Sequence, residues 1–263
     1  MKTDAKLRIV RDQKTHFESI SNAYYECRQS KNHLLLKDLL WRDFLADKIY
    51  LRKDGLEVLE LMCGYGEVSY IMERQLAVSI RYEGIDSSET LIGIAKRLNP
   101  SINVIKMDIG EFTPSRKYDL IVIYGGLHHV PDDVNRVFEK ICGSLKQEGY
   151  FINFEPTYNS PISKKVREYI YLHNALFDSE TERPFELSAL NRLYASHNFK
   201  IVDQIYPGLV SYILYGNPEA FPILKNVGGL GTAKVLFNLD RFFFRNFIGR
   251  KLSFATMTLL KKA

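Results

Sequence analysis

The chain of 263 residues, with 46% hydrophobic and 25% charged side chains, has the composition of an ordinary soluble globular protein. That length suits one large α/β domain or two small ones, and no apolar run reaches the roughly 18 residues of a membrane-spanning helix. The net charge of +5 is concentrated: residues 225–263 hold Lys225, Lys234, Arg241, Arg245, Arg250, Lys251, Lys261 and Lys262 against Asp240 alone. This argues against a DNA-binding groove lined with cations and for a local anionic contact on a substrate, a lipid surface or a partner. The opening "MKTDAKLRIVRDQ" has no apolar h-region of a secretory signal. Cys27, Cys63 and Cys142 lie far apart without metal-ligand or CxxC spacing, so reduced thiols in a cytoplasmic protein are expected.

Two helical patterns come first, near 17–28 and 33–50, and are expected to form an N-terminal helical cap over residues 1–56. In the second, Leu36, Leu40, Phe44 and Leu45 form an apolar face opposite charges at 37, 38, 42, 43, 47 and 48. From 57 to 155 short apolar strands alternate with helices, the signature of parallel βαβ units. The strands are "EVLELM" (57–62), "RYEGID" (81–86), "INVIKM" (102–107), "DLIVIY" (119–124) and "GYFINFE" (149–155). Helices fall near 67–76, 88–98 and 134–147, with Ser87 or Ser88 and Asp132 or Asp133 as caps and Gly149 as a stop. A long connection, 157–185, carries the helical piece "KKVREYIYLHNALF". A helix near 186–197 then leads to "FKIVDQIY" (199–206), and "SFATMTLL" (253–260) is the last strand. Residues 207–252 stand between these two strands as an insertion long enough to cover a substrate.

The turn after the first strand, "VLELMCGYGEVS" (58–69), poses the functional question. A dinucleotide loop wants G-x-G-x-x-G, but the frame here is Gly64-x-Gly66-x-x-Ser69. Glu60, near the tip of the strand, repels a pyrophosphate and attracts an ammonium group. A cofactor with a cationic end is expected, and a NAD-dependent reductase is disfavoured.

Downstream, Asp86 ends the second strand 20 residues beyond Gly66, "MDIGEF" (107–112) follows the third, and "YDLIVIYGGLHHVPDD" (118–133) spans the fourth. With "LKQEGYFINFEP" these segments resemble, in order and spacing, the motifs of the class I S-adenosylmethionine (SAM) dependent methyltransferases, in their small-molecule, ubiquinone-biosynthesis-like branch. The resemblance covers about 57–155. It implies a Rossmann-like seven-stranded sheet, last strand antiparallel, with helices on both faces. It implies SAM lying against Glu60, Met62, Cys63, Gly64 and Gly66, with Asp86 and Ser87 at the ribose. Met107, Asp108 and Ile109 would line the adenine, with Asp108 taking its amino group, and Tyr124 and Gly125 would flank the site. Met62 departs from the family, which most often has glycine there, so its side chain must point away from the cofactor or narrow the space beside it. Tyr24 and Tyr25, in the cap, are candidates to contact the cofactor carboxylate or close the pocket.

If the acceptor is a hydroxyl, a base must take its proton, and a near-neutral pKa suits that task. His128 and His129 stand just past the fourth strand, at the carboxyl edge where such folds bind ligands. Adjacent residues tend to face opposite ways, so one of the two is expected to reach the acceptor. No Asn-Pro-Pro-Tyr-type motif follows the fourth strand, which counts against methylation of nucleobase amines. No metal spacing is visible, and no metal is expected. The reading is methyl transfer from SAM to a partly apolar small molecule, at a hydroxyl of a natural product, sugar, quinone or lipid-linked intermediate. The alternatives are a tRNA-modifying methyltransferase and a non-catalytic SAM-binding or membrane-associated protein. Tyr158, Tyr169, Tyr171, His173, Phe177, Tyr212 and Tyr215 are candidate stacking walls.

"AKVLFNLDRFFFRNFIGRK" (233–251) reads as one amphipathic helix, with a polar stripe at Lys234, Asn238, Arg241 and Arg245. Its apolar residues, Phe242, Phe243 and Phe247 among them, are expected to turn inward over the pocket. The alternative is an interfacial helix on a membrane. "VGGLGTAK" before it reads as a hinge, with Thr232 as the cap.

Overall fold

The computed structural model describes residues 15, 17–114, 116–173, 183–218 and 223–263. Helix α1 spans 17–27. The later helices are α2 (Lys31–Leu45), α3 (Glu67–Leu76), α4 (Glu89–Leu98), α5 (Val134–Ser144), α6 (Pro161–His173), α7 (Leu187–Ser196), α8 (Gly229–Arg241) and α9 (Phe247–Leu252). The strands are β1 (Leu56–Leu61), β2 (Ile80–Asp86), β3 (Val104–Lys106), β4 (Tyr118–Tyr124), β5 (Leu145–Tyr158), β6 (Phe185–Glu186), β7 (Phe199–Ile205) and β8 (Ala255–Lys262). They form one sheet in the order β3-β2-β1-β4-β5-β8-β7, with β6 paired to the end of β5. β8 runs antiparallel to both neighbours, and the other pairs are parallel.

The run "LEVLEL" explains why β1 is central. Leu56 and Val58 enter a core with α2 and α3, while Leu59 and Leu61 enter the opposite core with α5 and α7. Alternation puts successive side chains on opposite faces, so a strand with both faces apolar must be covered on both. Leu36, Leu40, Phe44 and Leu45 are all buried in the first of these cores, as their periodicity predicts. The strand order reverses between β1 and β4, and at such a reversal the diverging connections leave a crevice at the carboxyl edge.

Some boundaries differ from the sequence reading. α5 stops at Ser144, and Gly149 is not its terminator but lies inside β5. The β4–β5 pairing shifts register between Tyr118 and Leu120, and Glu148 takes φ +64°, so the strand passes through a bulge the sequence pattern cannot show. β6 was not foreseen, because two residues carry no periodicity. The predicted helix over 233–251 is two helices. Asn246 interrupts it, its side chain accepting the Gly249 N–H to cap α9, a competing bond that favours a helix start over continuation. Thr232 does not cap α8: that place is taken by Gly228 at φ +74°, and Thr232 donates to the Gly228 carbonyl from within the helix. Asp133 stands at the start of α5 without a side-chain capping bond, whereas Ser88 does cap α4, accepting the Leu91 N–H at 3.1 Å.

Candidate active site

The carboxyl edge of β1 turns sharply at Met62, which takes φ +57°, a left-handed conformation that costs a side-chain-bearing residue about 1 kcal/mol. Glycine would adopt it freely, which is why methionine looks out of place there. Its side chain lies on Gly126 in the turn after β4, where a Cβ would come within 2.9 Å of Met62 Cε. Met62 thus leans under the histidine turn and packs with the second core instead of filling the loop. Gly64 and Gly125, both at positive φ, face open space: a Cβ at Gly64 meets only Leu91 at 3.8 Å, and one at Gly125 meets nothing within 4 Å.

Two buried carboxylates flank this space. Asp86, at the end of β2, accepts the Gly64 N–H and the Ser88 N–H, each at 2.8 Å, which locks the glycine loop to the neighbouring strand. Burial raises its pKa, against the pull of those two N–H groups. Glu60 sits at 3% exposure below the loop and accepts the Tyr82 hydroxyl at 2.5 Å. Burial pushes its carboxyl up to about 8, with the Tyr82 bond and the charge of Lys37 pulling down. Two carboxylates desolvated beside an open loop suit a ligand that brings a cation and hydroxyl donors. Met107 packs on the second core beside the buried Ile109. Between them the Asp108 carboxylate accepts the Gly110 N–H at 2.7 Å. Ser87 is exposed and Cys63 is buried against Tyr82. The sequence reading missed Tyr82 and Lys37. Lys37 pairs with Glu67 at 2.5 Å and stands 4.9 Å from the Tyr124 ring centroid.

A pH dependence of stability follows from Glu60. Unfolded, it titrates near 4.5; folded, it holds its proton to about 8. The folded state binds more protons between these values, so its stability falls as pH rises through that window. Glu155, also pushed up by burial to about 7, adds to this fall, and His33, pushed down to about 3, opposes it only below its ordinary 6.5. The thermal midpoint of the ligand-free protein is expected to fall between about pH 6.5 and 8, and Glu60→Gln to flatten that slope. An equal slope in the variant would contradict it.

α1 closes over this edge. Glu18 accepts the Thr90 N–H at 3.0 Å and the Thr90 hydroxyl at 2.6 Å, and Ser88 also donates to it. Tyr25 meets the Tyr65 ring of the glycine loop edge-on at 5.1 Å. Phe17 reaches His129 at 5.8 Å.

The turn Leu127–His129 holds both histidines. Their ring centroids lie 4.0 Å apart at a 36° tilt, so they do not face opposite ways: side-chain alternation belongs to strands, and this is a 3₁₀ turn. His128 is buried, with Nδ1 2.9 Å from Glu155 of β5. That carboxylate also accepts the N–H groups of Gly126 at 3.1 Å, Leu127 at 2.9 Å and His128 at 3.3 Å. Burial pushes Glu155 up to about 7 despite these donors. Its one sequence signal was an acid closing an apolar strand. His129 is half-buried, and its charge acts on both Asp86 and Glu155. Among the described residues, no group of three or more His, Cys, Asp or Glu side chains is placed to hold a metal.

Beside the turn, Tyr124 is stacked between Trp41 at 5.7 Å and Phe154 at 4.4 Å, and Tyr212 follows at 6.0 Å from Phe154. This aromatic row leads from β4 into the 207–252 insertion. Tyr215 does not belong to it: fully buried, it donates its hydroxyl to the Val227 carbonyl at 2.8 Å. Tyr158 is half-buried and Tyr169 is on the surface. Phe177 lies outside the described residues, as do the side chains of Tyr171 and His173.

The reversed sheet, its antiparallel last strand and the acid-flanked glycine loop define a Rossmann-like fold of the methyltransferase type. Residues 29–204 match the family model of a methyltransferase domain, and the chain belongs to that family. Its cofactor is SAM. It is 24% identical over 175 residues to a demethylmenaquinone methyltransferase of Staphylococcus aureus, covering 56% of this chain and 72% of that protein. Among solved structures, the plantazolicin methyltransferase BpumL, in complex with a desmethylPZN analog and SAH, shares the fold at a TM-score of 0.58 and 16% identity over 98% of both chains. A SAM-dependent methyltransferase from Archaeoglobus fulgidus matches at 0.55 and 19% identity, covering 86% of this chain and 94% of its own.

Proposed function

We propose that this methyltransferase acts on a hydroxyl oxygen of a partly apolar small molecule, with His128 as general base. The observation that carries the reading is the contact of His128 Nδ1 with the buried Glu155, which orients the imidazole and favours the tautomer with its proton on Nδ1. SAM supplies a methyl on a positively charged sulfur, open to in-line displacement. Asp86 would hold the ribose hydroxyls and Glu60 the ammonium group, with Lys37 opposite the carboxylate. Asp108 would take the adenine amino group between Met107 and Ile109. Cys63, Gly64, Gly66, Ser87, Tyr124 and Gly125 line the path, and α1 closes it through Tyr25. As the acceptor oxygen attacks, its proton passes to His128 Nε2, and Glu155 stabilises the resulting imidazolium through Nδ1–H. Water exclusion and alignment supply the rest.

The aromatic row from Tyr124 to Tyr212 supports an acceptor with a flat apolar part; residues 157–185 and 207–252 would form its cover, and 1–56 would be the N-terminal helical cap. The names of the relatives, which point to a quinone and to a natural product, lie in the same range. Incubation with methyl-labelled SAM and separate pools of quinols, phenolic natural products, sugars and total tRNA tests this. A labelled methyl ether in a quinol or phenolic acceptor is the expected product. Label confined to tRNA, or a methyl found on carbon or nitrogen, would overturn the assignment.

A further inference from the structure

α8 was expected to turn its apolar side inward, and the structure shows otherwise. The side packed on the protein consists of Ala233, Phe237 and Asp240, with Phe244 just beyond. At 100° per residue, Val235, Leu239 and Phe242 fall on the opposite side, and all three are exposed, Phe242 at 79%. The apolar arc of the helix is therefore wider than the core uses: half-buried Leu236 joins the packed residues to this exposed stripe, and Lys234, Asn238 and Arg241 close the other side.

The outer stripe continues beyond the helix. A Cβ at Gly249 would strike the Phe243 carbonyl at 1.8 Å, so only glycine lets α9 seat against the turn that ends α8. Phe247 and Ile248, which precede Gly249 in α9, are 70% and 50% exposed. Arg241 pairs with Asp43, and Arg245 with Asp43 and Asp203, so the corner is tied to α2 and β7 by charge. Lys234, Arg250 and Lys251 are exposed around it. The only acid between 223 and 252 is Asp240, which is buried and accepts the Ser211 N–H at 2.6 Å. Among the described residues no helix is long and apolar enough to cross a membrane, so any lipid contact here is a surface one.

We propose that the outer face of α8 and α9 docks on an anionic lipid surface, with Phe242, Phe247 and Ile248 entering the interface and Lys234, Arg250 and Lys251 meeting headgroups. Charge selects this occupant. A second copy paired face to face would set these cations against their own equivalents, and nucleic acid would leave the aliphatic and aromatic side chains without partners. The inference does not depend on which acceptor is methylated.

Co-sedimentation of the full chain with phosphatidylcholine vesicles, with and without about 30% phosphatidylglycerol, tests it. Binding to the anionic vesicles is expected, weakened by salt. The double variant Phe242→Ser/Phe247→Ser should reduce it by about tenfold or more, since each phenyl ring otherwise leaves water. Lys234→Glu/Lys251→Glu should abolish the preference for anionic lipid. All four positions are exposed, so folding and SAM affinity are expected to be unchanged, which a thermal-shift titration with SAM checks. No binding to anionic vesicles, binding unaltered in the phenylalanine variant, or a wild-type dimer lost in that variant would each overturn the proposal.

Discussion

Substitution of His128 by alanine is expected to lower kcat by about 10²- to 10⁴-fold while leaving SAM affinity unchanged. The reasoning starts from Glu155. A carboxylate buried at the end of β5 accepts three backbone N–H groups of the turn and sits 2.9 Å from His128 Nδ1. The turn is thereby fixed, and the imidazole is held in one orientation beside the crevice. The base role is assigned to His128 on that contact, so replacing His129, whose ring centroid lies 4.0 Å away, by alanine is expected to lower kcat much less. Glu155→Gln keeps the shape but cannot compensate an imidazolium, and kcat should fall by about two orders of magnitude or more. Burial pushes Glu155 up to about 7, and it must be ionised to pair with an imidazolium, so kcat of the wild type should rise with pH through that region. In Glu155→Gln the profile should shift. Wild-type kcat in His128→Ala, or a loss shared equally with SAM affinity, would exclude the base role.

The second large effect is expected at Asp86. Replacement by asparagine should weaken SAM binding by about 10- to 100-fold, the worth of about 1.5–3 kcal/mol for hydrogen bonds to a charged group. Asp86 does two things at once. Its two oxygens accept the N–H groups of Gly64 and Ser88, and in the proposed complex its remaining lone pairs take the ribose hydroxyls. An amide nitrogen in place of one oxygen would point a donor at a backbone donor, so the loop should loosen and the thermal midpoint should drop. Ser88→Ala separates the two consequences. It removes the α4 cap, which costs about 1 kcal/mol, but leaves the carboxylate intact. Calorimetric titration with SAM should show a much smaller loss of affinity for Ser88→Ala than for Asp86→Asn. Equal losses would mean that Asp86 acts only through the loop.

The parallel core, the position of the glycine loop and the acid at the end of β2 were legible in the sequence because each is set by local rules. Period-two apolar runs, a glycine-bearing turn and a serine cap fix them within a few residues of chain. Glu60 stands at the end of β1 below the loop, but its burial against Tyr82 is not visible in the sequence, since the two stand on neighbouring strands. Met62 was flagged by its identity. Where its side chain goes depends on Gly126, in a turn far along the chain.

The histidines show the same division. The sequence by itself determined that two imidazoles follow β4 at the binding edge of a SAM-dependent fold. Only the tertiary structure distinguishes their surroundings, because β5 lies beside β4 and brings Glu155 to His128. In the C-terminal segment the sequence determined that α8 is amphipathic, and the wrong side was expected to be inward. Periodicity records which residues share a face, whereas burial depends on what is packed against it. Here Ala233, Phe237 and Asp240 meet the core, and the phenylalanine side is left to water or to a surface beyond the chain.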